Sequence, residues 1–207
     1  MGYFPFFMDI SGKRCIIIGG GTVALRKIEK LLPFGPEITV IAPEIRSEIS
    51  ELSGVKTVRR CFEERDLEGV FMAVSASDSE ELNARIFELC RAKNILVNTV
   101  DDRDKCGFIF PALVHKNDVT VGISTSGTSP LYARFLREQI ESLLDEHYLS
   151  IGELLSRYRP IIRHDFETES ARKKAAEALL EMCLIDGQIP SDAEINAMLE
   201  EMKRHEN

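Results

Sequence analysis

Three short stretches of this chain bring together residue types that can do chemistry. The first is Gly19-Gly20-Gly21-Thr22-Val23-Ala24, set between the apolar run Arg14-Cys15-Ile16-Ile17-Ile18 and a helical pattern. A G-x-G-x-x-A turn between strand and helix suits a dinucleotide: the first glycine makes the tight turn, the second lets a pyrophosphate reach the backbone, and Ala24 permits close packing of helix on sheet. The helix start adds unpaired N–H groups and a positive dipole end. The other reading is a glycine turn kept for packing alone. An acid after the second strand normally takes the ribose hydroxyls, and Glu44 ends Thr39-Val40-Ile41-Ala42-Pro43-Glu44. Glu44 also reads as a solvated carboxylate at a helix start. No arginine follows it immediately, although Arg46 is close, so NAD is preferred over NADP.

The second stretch is Asn98-Thr99-Val100-Asp101-Asp102, at the carboxyl end of a fifth strand, where open α/β sheets place ligands. Two adjacent carboxylates there suit proton transfer or cation binding, and they equally suit an ordinary turn. Alternation of side chains predicts that only one of the two faces the cleft. The third is Ser124-Thr125-Ser126-Gly127-Thr128-Ser129 before Pro130, a hydroxyl-rich loop that opens a helix and can aim donors at an anion, with Arg134 and Arg137 following within two turns. A capped helix with solvated arginines is the alternative.

The elements that must position these residues follow from the periodicity. A strand over 14–18 and a helix from Thr22 to Leu32, stopped by Pro33, open a βαβ unit. Strands follow at 37–41, 55–58, 70–74 and 95–97, with a short helix at 47–52 and a longer one from the Asp78-Ser79 cap to about Lys93. Short apolar strands between helices predict a mostly parallel, Rossmann-like sheet. After Asp101 two strand-like runs, 108–111 and 119–124, leave no room for a crossover helix, so antiparallel pairing is expected. Helices are expected over 131–146, 151–164, 170–184 and 192–204. The chain is therefore divided into a nucleotide-binding domain at 1–113, a small α+β central segment at 114–147, and a helical C-terminal domain at 148–207.

Composition narrows the classes. With 34 acidic and 26 basic residues the net charge is −8, which argues against a nucleic-acid partner and requires any anionic ligand to be met by a local cluster. No apolar run is long enough to span a membrane, and the opening MGYFPFFMDISGKR lacks a secretory pattern, so a cytoplasmic protein is expected. Five scattered cysteines without a C-x-x-C pair predict free thiols, with no disulfide framework and no metal site.

Taken in order, the sequence resembles the precorrin-2 dehydrogenase family, which includes the amino-terminal half of sirohaem synthase and bifunctional dehydrogenase and ferrochelatase proteins. The matching pieces are Tyr3-Phe4-Pro5-Phe6-Phe7, the glycine turn through Lys27, Asn98 to Asp102, Phe108-Ile109-Phe110-Pro111-Ala112, and Ser124 to Pro130 with Ala133-Arg134 and Leu136-Arg137. The resemblance implies NAD-dependent oxidation of precorrin-2 to sirohydrochlorin by a homodimer. It places the family's aspartate at Asp101, so that Asp102 is expected to point away from the cleft, its histidine at His147, and its cofactor contacts at Thr22, Val23, Pro43 and Glu44. Metal insertion into sirohydrochlorin, with Fe²⁺ or Co²⁺, stays open, because both kinds of member share these motifs. The polycarboxylate substrate would meet the 124–129 loop, Arg134, Arg137, Lys105 and Arg103. The rival from another class is a non-catalytic NAD-binding sensor whose helical tail contacts a partner. It calls for a basic recognition helix, and the Arg172-Lys173-Lys174 run lies beside Glu169 and Glu177.

Overall fold

The computed structural model describes residues 3–100, 102, 105–185 and 187–206, all but the side chains of 205 and 206. Phe4–Phe110 and Pro111–Asn207 each form a compact unit. In the first, β1 (Arg14–Ile18) is central because, past the exposed Arg14, its isoleucines are β-branched and apolar toward both faces and can be buried. It pairs in parallel with β2 (Glu37–Ala42) on one side and with β4 (Met72–Ser75) on the other. The flanking strands β3 (Val55–Arg59) and β5 (Leu96–Thr99) complete a five-stranded parallel sheet in the order β3-β2-β1-β4-β5. The strand order reverses between β1 and β4, and a crevice opens at that point beyond the carboxyl ends.

Helices cover both faces. Helix α1 (Thr22–Leu31) buries Ala24, Ile28 and Leu31, spaced along one stripe, against Cys15, Ile17, Val40 and Val74. The chain does leave the α-helix ahead of Pro33, but it continues as a 3₁₀ turn, Leu32–Phe34, ending on Gly35 in the left-handed region. Helix α3 (Glu80–Ala92) is capped by Ser79, whose hydroxyl accepts the Leu82 N–H at 3.2 Å, and packs Ile86 and Cys90 on Ile16, Ala73 and Val97. The short helix expected at 47–52 is α2 (Ser47–Ser50).

Phe108 to Pro111 is not a strand. Phe108 and Phe110 pack together at 5.3 Å against the α1 face, and Lys27 stands 4.1 Å over the Phe110 ring, so burial rather than ladder pairing fixes this run. Asn98 holds it by donating its amide to the Phe108 carbonyl at 3.0 Å. The antiparallel pair is instead β6 (Ala112–Lys116) with β7 (Val119–Ile123), in the second unit. Its two-residue turn puts Asn117 in the left-handed region that asparagine tolerates.

The second unit continues with α4 (Pro130–Leu143), α5 (Glu146–Asp165), α6 (Glu169–Ile185) and α7 (Asp192–Glu206). Helices α5 to α7 share a core of Ile151, Leu154, Ile162, Leu179, Cys183 and Ile195, with Phe166 closing it. The cysteines are free thiols, and burial pushes Cys15 and Cys90 up to about 11. Among the described residues no helix is long and apolar enough to cross a membrane.

Candidate active site

The turn after β1 is shaped by close approach. Gly19 has φ +124°, its N–H donates to the Ile41 carbonyl at 3.0 Å, and a Cβ there would meet the Ala76 carbonyl oxygen at 2.1 Å. Gly20 is equally hemmed by the Glu44 carbonyl. Gly21 differs: it caps α1 in extended backbone and faces open space. Gly21 has no side chain to cap this helix start and, among the described residues, no acidic residue lies in its first turn, which leaves its N–H groups suited to an anion. Ala24 is fully buried beneath. The turn therefore fits a pyrophosphate on α1, with Thr22 and the half-exposed Val23 beside it.

Pro43 and Glu44 follow β2 and are exposed next to that turn. On the other side of the switch point lies a cleft of about 370 Å³, lined by Val23, Ser77, Asn83, Thr99, Val100 and Asp102 among others. Its wall is tied by one side chain. Asn83 Oδ1 accepts the hydroxyls of Ser75 and Ser77 at 2.7 and 2.9 Å, and its amide donates to the Ser77 carbonyl at 2.9 Å. That network joins the end of β4 to α3. The sequence reading missed Ser77 and Asn83; the signal was the hydroxyl-rich run Ser75-Ala76-Ser77-Asp78-Ser79 at a strand end. Among the described residues, Thr99 Oγ1 and Asn98 Oδ1 are buried without a hydrogen-bond partner. A second groove, of about 300 Å³, runs along the sheet past Arg14, Lys56 and Arg60, where Arg60 already pairs with Asp66 at 2.5 Å. The sheet rule selects the first cleft.

Asp101 lies outside the described residues, as does Arg103. Its neighbours Val100 and Asp102 both border the cleft. The expectation that Asp102 points away is corrected: β5 ends at Thr99, and strand alternation does not carry into a loop. Asp102 Oδ2 pairs with Lys105 Nζ at 2.7 Å. The Cys106 thiol donates to the Thr99 and Asp102 carbonyls at 3.2 and 3.1 Å, pinning this loop, and burial pushes the thiol above its usual range.

In the second unit the 124–129 loop bonds largely to itself. Thr125 Oγ1 donates to the Ser129 carbonyl at 3.0 Å, Ser124 Oγ accepts the Ser126 N–H at 3.1 Å, Thr128 bonds the Thr125 carbonyl, and Ser129 Oγ caps α4 through the Tyr132 N–H at 3.2 Å. Ser126 and Gly127 take the left-handed region to close it. Arg134 Nε donates to Glu138 at 2.9 Å, and Arg137 pairs with both Glu138 and Glu141. The Arg134 pair is exposed, and such pairs are weak, so a ligand carboxylate can compete for that guanidinium, whereas Arg137 is half-buried. His147 stands in the first turn of α5, its ring edge-on to Tyr148 at 5.8 Å.

A family model described as "Putative NAD(P)-binding" matches residues 6–112, and one described as "Sirohaem biosynthesis protein central" matches residues 117–143. A siroheme synthase of Pseudoalteromonas translucida is 36% identical over 188 residues, covering 89% of this chain and 40% of that protein. One of Neisseria meningitidis is 36% identical over 177 residues, covering 84% of this chain and 37% of that protein. The chain thus spans about two fifths of the length of these curated relatives. The solved structure of SirC, precorrin-2 dehydrogenase, is similar over 98% of this chain and 100% of that one, with TM-score 0.74 and 26% identity. The chain belongs to the NAD(P)-binding family whose model spans its residues 6–112, and it is similar along most of its length to siroheme synthases and to the precorrin-2 dehydrogenase SirC.

Proposed function

We propose that this protein oxidises precorrin-2 to sirohydrochlorin with NAD as hydride acceptor. The observation that carries the reading is that the uncapped start of α1 and the carboxyl end of β5, with Val100 and Asp102, border one crevice at the switch point. The full-length likeness to a precorrin-2 dehydrogenase supports the choice of substrate. The α1 amides hold the pyrophosphate and Glu44 takes the ribose hydroxyls. Val23 and Val100 give the cleft apolar surface, and the Ser75-Asn83-Ser77 bonds keep its wall rigid. When bound, NAD supplies the acceptor for a hydride.

The substrate must also lose a proton, and Asp101 is the proposed acceptor, flanked in sequence by the two cleft residues Val100 and Asp102. The 124–129 loop, Arg134 and Arg137 are the proposed partners of the substrate carboxylates, and His147 is a proposed further site residue. Residues 1–113 then serve as cofactor domain, 114–147 as a homodimerisation segment and 148–207 as a helical domain, in a cytoplasmic protein that needs neither membrane nor nucleic acid. Anaerobic mixing with precorrin-2 and NAD tests the reading: NADH fluorescence should grow with enzyme concentration. Tight NAD binding without any NADH formation would favour a sensor and sink the dehydrogenase.

A further inference from the structure

The segment after β2 contains a feature that the reaction itself does not need. Arg46 donates its backbone N–H to the Gly20 carbonyl at 3.1 Å, and its guanidinium Nη1 donates to Thr22 Oγ1 at 3.3 Å, so the side chain is drawn over the opening residue of α1. Its Nη2 is taken by the Glu48 carboxylate, and the other Glu48 oxygen accepts the Ser47 hydroxyl at 3.1 Å. The strand order sets β2 beside β1 on the side away from β4, so the adenosine half of a dinucleotide crossing the switch point lies over this segment. An acid there favours the ribose hydroxyls, whereas an arginine accommodates a 2′-phosphate. This chain has both Glu44 and Arg46.

Resting on the cofactor reading above, we propose that Arg46, Ser47 and Glu48 form a masked 2′-phosphate contact that sets a preference for NAD over NADP. Arg46 and Ser47 bring the guanidinium and hydroxyl donors that a 2′-phosphate requires, and the Glu48 carboxylate engages both while repelling the phosphate dianion. The Arg46 guanidinium, with help from Ser47, holds the Glu48 carboxyl down at about 2, so the mask stays charged at every pH where the enzyme would work. Both side chains are nearly half exposed, and such a pair contributes little to folding. Its removal should therefore change ligand choice without unfolding the unit.

The test is calorimetric titration of NAD and NADP into the parent protein, Glu48→Gln, Glu48→Ala and Arg46→Met/Glu48→Gln, with thermal melts confirming that each is folded. The readout is the ratio of the NADP to the NAD dissociation constant at one ionic strength. The ratio should exceed one in the parent, fall by about tenfold in both single variants as a charge-assisted bond to phosphate becomes available, and return toward the parent value in the double variant. A ratio in the single variants within about twofold of the parent overturns the inference while leaving the cofactor reading intact. So does a fall that persists without Arg46. A parent that binds neither dinucleotide overturns both.

Discussion

The carbonyl oxygen of Ala76 stands 2.1 Å from where a Cβ on Gly19 would be, so the end of β1 and the loop after β4 meet at a distance only glycine permits. The backbone of Gly19, at φ +124°, is also one that a side chain disfavours. Gly19→Ala must therefore push the β4 loop off the turn. Urea unfolding should find it at least about 2 kcal/mol less stable than the parent, combining backbone strain with overpacking.

Gly21 is the counterpart. It lies in extended backbone with nothing within 4 Å of its would-be Cβ, so Gly21→Asp should fold like the parent. The new carboxylate would stand at the α1 amides and repel the pyrophosphate. Calorimetry should find NAD affinity reduced by at least about a hundredfold, the cost of setting a like charge against the phosphates and losing bonds to them. Parent-like affinity in the folded variant would remove the turn from the site.

These two glycines also mark what was legible in the sequence. The strand, turn and helix at 14–31 could be read because each signal is local: isoleucines for β1, three glycines, then Ala24, Ile28 and Leu31 on one stripe. Ser79 as the cap of α3 was legible for the same reason. Phe108 to Pro111 was misread because aromatic residues suit strands, and their burial against the α1 face depends on residues far away in sequence. Strand β6 was hidden by its polar end, His115 and Lys116, although Asn117-Asp118 between two apolar runs signals a hairpin. Nothing local ties Asn83, inside a helix, to Ser75 at the end of a strand. Asp102 was misplaced because a two-residue period was extended past the point where β5 stops.

Asp66 should set part of the acid limb of stability. Bidentate bonds from the Arg60 guanidinium hold its carboxyl below the usual range, and it also accepts the Glu63 N–H at 2.8 Å. A carboxyl depressed in the folded state gives stability that is complete above its unfolded value of about 3.9 and is lost as pH falls through the lower folded value. Asp66→Asn should lower the melting temperature at pH 7 by about 2–4 °C and flatten its decline below about pH 4. An unaltered acid limb would show that the pair contributes nothing to the pH dependence.

Helix α4 carries an apolar face that the second unit leaves open. Leu131 is 77% exposed, Tyr132 54% and Phe135 51%, and the two rings stack at 6.4 Å. A patch of this kind fits self-association, in line with the homodimer proposed for this segment. Sedimentation at micromolar concentration should give about twice the chain mass for the parent and the single-chain mass for Phe135→Asp. A parent that sediments as a monomer would end the dimer proposal.

The chemistry turns on which of two adjacent carboxylates takes the proton. Asp102 borders the cleft and is engaged by Lys105 at 2.7 Å. Asp101, at the position of the family's aspartate, is the proposed acceptor. Asp101→Asn keeps nearly the same shape, so NAD affinity should hold while kcat for precorrin-2 falls by about 10² to 10⁴, the range a positioned base contributes. Asp102→Asn removes the charge pair with Lys105 and should cost about tenfold or less, chiefly in KM. Rapid-mixing measurements of NADH formation separate the two. Parent-like turnover in Asp101→Asn would leave positioning beside NAD to account for the rate. If Asp102→Asn is instead the silent enzyme, the pair with Lys105 holds the base in place, and the acceptor is the carboxylate that Lys105 orients.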